Sequence, residues 1–179
     1  MLFPHLKTWD VKEYMRANDE QWQREGAVLK MIWEDSDYLS LLARGPAPLK
    51  IFHKNPGDEI FFQIEGDLYF HFLNAEGARE QLVVKPGEMF LLPAKVPHSV
   101  RRPANSWTVV VERKRRPGEQ DYWTWYCEQC NVQLDEYPCI GPVDTYIGAM
   151  PSEMVDSMNR VRALEKCPEC GAALPLPPG

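Results

Sequence analysis

Two histidines and a glutamate are spaced so that together they could hold a catalytic metal. His53 and Glu59 flank Asn55-Pro56-Gly57, a turn able to aim both side chains at one point, and Gly66 follows Glu59 by seven residues. Gly87 precedes Pro93 by six residues, and His98 comes five later at the end of the apolar run MFLLPAKVPH, which places a third donor on a neighbouring strand. Two imidazoles and one carboxylate on one side of an ion form the facial triad of oxygen-using non-haem iron sites, with adjacent positions open to substrate and dioxygen. Iron(II) with dioxygen as co-substrate is therefore the expected chemistry.

A second constellation is made of sulfur. Four of the five cysteines fall into two C-x-x-C pairs, Cys127/Cys130 and Cys167/Cys170, separated by 36 residues. In a reducing compartment such pairs are metal ligands rather than disulfides, and four thiolates make a closed tetrahedral site for iron or zinc. A closed site staples a segment too small to build its own core, so its expected role is structural. Cys139, lying between the pairs, reads as a small semi-buried packing residue.

The elements that must carry these groups are mostly strands. VLKMIW, YLSLLA, LKIFH, EIFFQI, DLYFHFL, EQLVV, EMFLLP and WTVVVE are short β-rich runs punctuated by Pro-Gly, Gly-Asp and Glu-Gly turns. About eight such strands without intervening helices must close or stack on themselves, which predicts an all-β antiparallel barrel with a cavity. His71, inside DLYFHFL, reads as a wall residue of that barrel, and His5 as a surface residue. Before the barrel, Val11, Tyr14 and Met15 have helical spacing behind a Thr8 cap. After it, residues 152–166 place Met154, Met158, Val161 and Leu164 near one helical face. The charged stretch 113–120 reads as an exit linker, dividing a barrel with its N-terminal helix (1–118) from a small metal-bound extension containing a helix (119–179).

Length allows one well-buried core plus such an appendage. The formal net charge of −6 disfavours nucleic acid as a partner, and the short run Arg113–Arg116 reads as a solvated strand end. No stretch approaches a membrane span, and the first residues lack a secretory pattern, so a cytoplasmic protein without a membrane partner is expected.

The pattern H-x5-E-x6-G followed by G-x5-P-x4-H resembles the two signature motifs of the cupin superfamily, whose fold is a jelly-roll barrel. Ile51 stands where cupins often have a further histidine, leaving three protein ligands. The segments HKNPGDEIFFQIEGD, GEMFLLPAKVPHSVRRPANSWTVVVERKR and WYCEQC...CPECG resemble more narrowly the 3-hydroxyanthranilate 3,4-dioxygenases, in the bacterial and fungal form with a C-terminal rubredoxin-like site. That resemblance implies His53, Glu59 and His98 as iron ligands and a small aromatic substrate bound beside them. It implies Arg102 as a substrate-binding arginine and Glu112 as an active-site glutamate. It also implies a homodimer and an extradiol-type ring opening, giving an amino-muconate semialdehyde on the route through quinolinate to NAD.

The chain departs from the family just before His53. It reads Gly45-Pro46-Ala47-Pro48-Leu49-Lys50-Ile51-Phe52-His53, with Leu49 and Ile51 in place of the family's second substrate arginine and its aspartate. Leucine cannot supply the bidentate fork by which arginine holds a carboxylate. Lys50 is the remaining cationic candidate on that side, yet on a strand it points to the opposite face. A paralogous dioxygenase for another aminophenol or catechol is therefore an alternative, and a non-catalytic cupin sensor or binding protein is a second.

Overall fold

The computed structural model describes residues 8–25, 29–33, 36–47, 50–139 and 152–174. The helix α1 (Val11–Glu25) precedes β1 (Leu29–Trp33), β2 (Tyr38–Arg44), β3 (Phe52–Lys54), β4 (Glu59–Glu65), β5 (Leu68–Leu73) and β6 (Arg79–Val84). Next come β7 (Met89–Leu92), β8 (His98–Arg101), β9 (Trp107–Arg113), β10 (Tyr122–Tyr126), β11 (Gln133–Pro138) and the helix α2 (Ser152–Ala163). Two antiparallel sheets result, one ordered β1-β2-β9-β4-β7 and the other β11-β10-β3-β8-β5-β6. This is the cupin barrel that the motif spacing implied.

Period-two alternation fixes which side chains enter the barrel. Along β4, Glu59, Phe61 and Gln63 are buried while Ile60 and Phe62 are exposed. Phe61, Phe70, Leu68, Leu41, Leu92 and Val110 form the central core. Gly66 turns the chain from β4 into β5 with φ of +65°, and a Cβ there would come within 2.8 Å of the Asn105 carbonyl oxygen. Both its conformation and its neighbour therefore require glycine at this motif position.

The two helices cover separate faces. Met15 and Trp22 of α1 pack on Leu42 and Trp107, outside the first sheet. The cap of α1 is Asp10, whose Oδ1 accepts the Glu13 amide at 2.9 Å, so the cap lies two residues after the expected Thr8. Met154, Met158 and Val161 of α2 pack against Ile51, Trp125 and Tyr137. Leu164 does not join that face: the helix stops at Ala163 and leaves it 40% exposed.

Strands β8, β10 and β11 are additional to the runs read from sequence. The division at residue 118 falls in the connection between β9 and β10, and sheet pairing crosses it, with Trp123 opposite His53 and Thr124 opposite Phe52. The strand leading to the first cysteine pair is thus the direct neighbour of the strand carrying a metal-ligand candidate. His5 lies outside the described residues. Cys139 is buried, as a packing residue should be, and His71 sits partly buried in β5.

Leu42 is fully buried beneath α1. Replacing it with alanine is expected to destabilise the fold by about 2–5 kcal/mol, measured by denaturant unfolding with an unchanged slope.

Candidate metal centre

Strand register assembles the centre. In the first sheet Glu59 stands opposite Glu112, and in the second His53 stands opposite His98. The sheets face each other, so two carboxylates and two imidazoles from four strands meet inside the barrel. His53, Glu59 and His98 each offer a ligand atom within 4.8 Å of the others, and all three are buried.

The protein leaves these donors in a state suited to an ion. His98 Nδ1 lies 3.0 Å from the Val96 carbonyl, which can only accept, so the hydrogen sits on Nδ1 and the lone pair on Nε2. Burial, helped by the charges of His53 and Arg102, lowers the His98 pKa to about 3 and keeps it neutral. Glu59 Oε1 is 3.5 Å from His98 Nε2 and has no hydrogen-bond partner despite its burial. A buried carboxylate oxygen without a partner is costly, and a cation between these groups would satisfy it. The residues present therefore fit a bound metal.

Around the triad lies a charged network that the sequence did not disclose. Arg115 Nε and Nη2 donate to the Asp121 carboxylate at 2.5 and 2.6 Å, and Nη2 lies 2.9 Å from Glu112 Oε2. Asp121 Oδ1 is 2.7 Å from His53 Nε2, while Asn55 Nδ2 donates to Glu112 Oε2 and Asn55 Oδ1 accepts the Gly57 amide. The expectation that Arg113–Arg116 is a solvated strand end is corrected for Arg115, whose side chain is only 10% exposed. Its neighbours behave differently: Arg113 pairs with Glu119 outside the barrel.

Burial lowers the His53 pKa, but the hydrogen bond to Asp121 and the charges of Glu59, Asp121 and Glu112 outweigh it and raise the group overall. Burial also raises Glu59, against the pull of His53 and Arg115. Glu112 is pushed up to about 7 by burial and by the charge of Glu59, with Arg115 and His53 opposing. A single cation would relieve this crowding of negative charge.

Arg102 follows His98 by four residues, which sets the two on one face of the same chain segment. Its Nε donates to Thr108 Oγ1 at 3.3 Å; Thr108 Oγ1 donates to Gln63 Oε1 at 2.6 Å, and Gln63 Nε2 donates to the Gly66 carbonyl and Ser106 Oγ. This buried ladder orients the guanidinium. Burial lowers the Arg102 pKa to about 10, and among the described residues no carboxylate neutralises it. Lys50 goes elsewhere, pairing at 3.4 Å with Glu128 on the outer face of the second sheet beside Arg79 and Arg101. Its candidacy as a substrate contact is corrected accordingly: the alternation of the chain turns it away from the buried Ile51 side. Leu49 lies outside the described residues.

The four cysteines form a second cluster. Cys127 Sγ is 3.8 Å from Cys170 Sγ, and Cys130 Sγ is 3.6 Å from Cys167 Sγ. Thiolates at about 2.3 Å from one tetrahedral centre stand roughly 3.8 Å apart, so the spacing fits a shared metal and excludes disulfides. The two knuckles repeat one backbone pattern. Asn131 N donates to Cys127 O and Gly171 N to Cys167 O, while Cys127 N donates to Val132 O and Cys167 N to Ala172 O. Asn131 and Gly171 occupy the same left-handed position, at φ of 60° and 72°.

The model of the 3-hydroxyanthranilic acid dioxygenase family matches residues 5–141. The 3-hydroxyanthranilate 3,4-dioxygenase of Bacillus cereus (strain ATCC 10987 / NRS 248) is 36% identical over 147 residues, covering 82% of this chain and 80% of that protein. The enzyme of the same name from Xanthomonas euvesicatoria pv. vesicatoria (strain 85-10) is 38% identical over 148 residues, covering 83% and 81%. Among solved structures, a cupin-2 domain containing protein from Shewanella frigidimarina NCIMB 400 aligns with a TM-score of 0.43 and 19% identity over 55% of this chain and 98% of that one. No helix among the described residues is long and apolar enough to cross a membrane. With the family model spanning most of the sequence and relatives matched over four-fifths of their length, this chain belongs to the 3-hydroxyanthranilic acid dioxygenase family.

Proposed function

We propose that this chain is an iron(II)-dependent ring-opening dioxygenase acting on 3-hydroxyanthranilate or a closely related ortho-aminophenol, with His53, Glu59 and His98 holding the iron. The observation that carries the reading is the donor set, a partnerless buried carboxylate oxygen facing an imidazole lone pair inside a barrel otherwise lined with Phe61, Phe70 and Val110. When bound, iron(II) supplies one centre at which the aromatic ring and dioxygen meet, which removes much of the entropic barrier between them.

The chain's own residues supply recognition and proton handling. Both side-chain contacts of Glu112 fall on Oε2, from Asn55 and Arg115, which leaves Oε1 to accept the substrate's hydroxyl proton. Arg102 spends its Nε on Thr108 and keeps its terminal nitrogens for a substrate carboxylate, in the paired geometry that guanidinium favours. Ring opening would give an amino-muconate semialdehyde, which places the reaction on the route to quinolinate and NAD.

A second reading keeps the enzyme and changes the substrate. Ile51, in place of the family's aspartate, is 5% exposed and packs with Trp125, Met154 and Met158, so this flank of the centre is apolar. With Leu49 in place of the second arginine, grip on the substrate acid falls to Arg102 alone.

We assign residues 119–179 to an extension stapled by the tetrathiolate site, with iron or zinc as its metal and a structural role. Ring-opening dioxygenation consumes no external electrons, which favours that role over electron transfer. The homodimer implied by the resemblance would find an apolar surface where Ile60 and Phe62 of β4 stand opposite Leu91 and Met89 of β7, all exposed. A cytoplasmic location accords with four unpaired thiols grouped as ligands.

His98→Ala is expected to abolish turnover and remove one metal per chain, while the cysteine-bound metal remains. Retention of both metals with full activity would refute the ligand assignment.

Glu112 accepts a proton only when ionised, so kcat/KM is expected to fall as pH drops through its pKa, at or below about 7 once a cation shares the site. Glu112→Gln should remove that limb and lower turnover by roughly a hundredfold or more.

Arg102→Leu is expected to raise KM for 3-hydroxyanthranilate but not for 2-aminophenol, which lacks the carboxylate. Leu49→Arg should raise kcat/KM for 3-hydroxyanthranilate alone, and an unchanged ratio between the two substrates would favour the second reading.

A further inference from the structure

A histidine can present a ring nitrogen to an ion only if its ring is held in one plane and one tautomer. His53 lies on β3, a strand of only three residues. The neighbouring strand β10 and Asp121, the residue just before it, supply two contacts of different kinds. The Trp123 indole lies against the ring face, with centroids 4.5 Å apart and planes 20° from parallel. The Asp121 carboxylate, 2% exposed, meets the ring edge at 2.7 Å from Nε2.

One contact fixes the tilt of the ring and the other its rotation. Asp121 is itself immobilised: both its oxygens accept from Arg115, its carbonyl accepts the Cys139 amide at 2.9 Å, and β10 pairs on one side with β3 and on the other with β11. An ionised carboxylate can only accept, so the nitrogen facing Asp121 carries the hydrogen and the ring's other nitrogen is left to the ion. His98 is served in the same way by a backbone carbonyl, that of Val96.

We propose that Asp121 and Trp123 are positioning residues that set the plane and tautomer of His53 for metal binding. Asp121 immediately precedes β10, Trp123 lies on it and β10 runs directly into Cys127, so one short stretch of chain serves both candidate sites. The inference rests on His53 being a metal ligand and adds what presents it.

The test is cobalt(II) titration of the full-length chain after metal removal, in competition with a chromophoric chelator. Thiolate charge-transfer bands report the cysteine site, and the weaker ligand-field bands report the histidine site. Asp121→Asn is expected to weaken cobalt binding at the histidine site by roughly 10–100-fold and to shift its ligand-field bands, with the thiolate bands unchanged. Trp123→Phe, which keeps a stacking ring, should retain affinity, and Trp123→Ala should lose it. Asp121→Glu keeps the charge on a longer arm and should shift the bands even if Asp121→Asn fails to fold. Asp121 and Trp123 variants that match the wild type in affinity and spectrum, while His98→Ala loses the site, would overturn this inference alone. A wild-type chain taking up cobalt only at cysteine would instead overturn the metal-ligand reading beneath it.

Discussion

The centre depends on one electrostatic constraint: Glu59 and Glu112 stand opposite each other on adjacent strands, both almost fully buried. Two ionised carboxylates removed from water repel each other and lose hydration, and neither loss is tolerable without positive charge nearby. The protein supplies part of that charge through Arg115 on Glu112, while from the opposite sheet His53 and the neutral His98 face the pair. The remaining deficit falls on Glu59 Oε1, the atom without a partner. A divalent cation held by His53, Glu59 and His98 would remove it. The barrel's apolar core then becomes an advantage, since charge interactions strengthen where water is excluded.

The polar layer around Arg102 obeys the same logic at the other end of the strands. Gln63, Ser106 and Thr108 are fully buried and satisfy one another, and the chain through Thr108 Oγ1 reaches the guanidinium Nε. Between the two polar layers sit Phe61, Val110 and Phe70. A planar aromatic substrate with a chelating edge and an acidic edge matches that order of polar, apolar and polar. Ile51 and Leu49 stand where the resemblance places an aspartate and a second substrate arginine, so under the proposed reading Arg102 alone would meet the acidic edge of the substrate.

Much of the candidate centre was legible in the sequence because its residues flank turns with rigid local grammar. Asn55-Pro56-Gly57, Gly66 and Gly87 constrain the backbone, and His53, Glu59 and His98 stand on strands at fixed offsets from them. The cysteine pairs were legible for a similar reason, since each knuckle is a local backbone motif. Asp121 and Trp123 were not, because their places beside His53 come from the pairing of β10 with β3, which are far apart in sequence. A basic run such as Arg113–Arg116 reads as solvated, and only the fold shows that Arg115 turns inward while Arg113 turns out. The caps and ends of helices were misread by a residue or two, as with Asp10 for Thr8 and the exposed Leu164, because neighbouring polar residues compete for one role.

On the proposed reading, three side chains from separate strands hold one ion with an open side turned to the substrate. The decisive measurement is anomalous diffraction at the iron edge from crystals loaded with iron(II) and 3-hydroxyanthranilate without oxygen. A peak bounded by His53, Glu59 and His98 is expected, with the aromatic ring on the remaining side and its acid toward Arg102. A peak confined to the four cysteines, or an ion in the barrel enclosed wholly by protein atoms, would refute the reading.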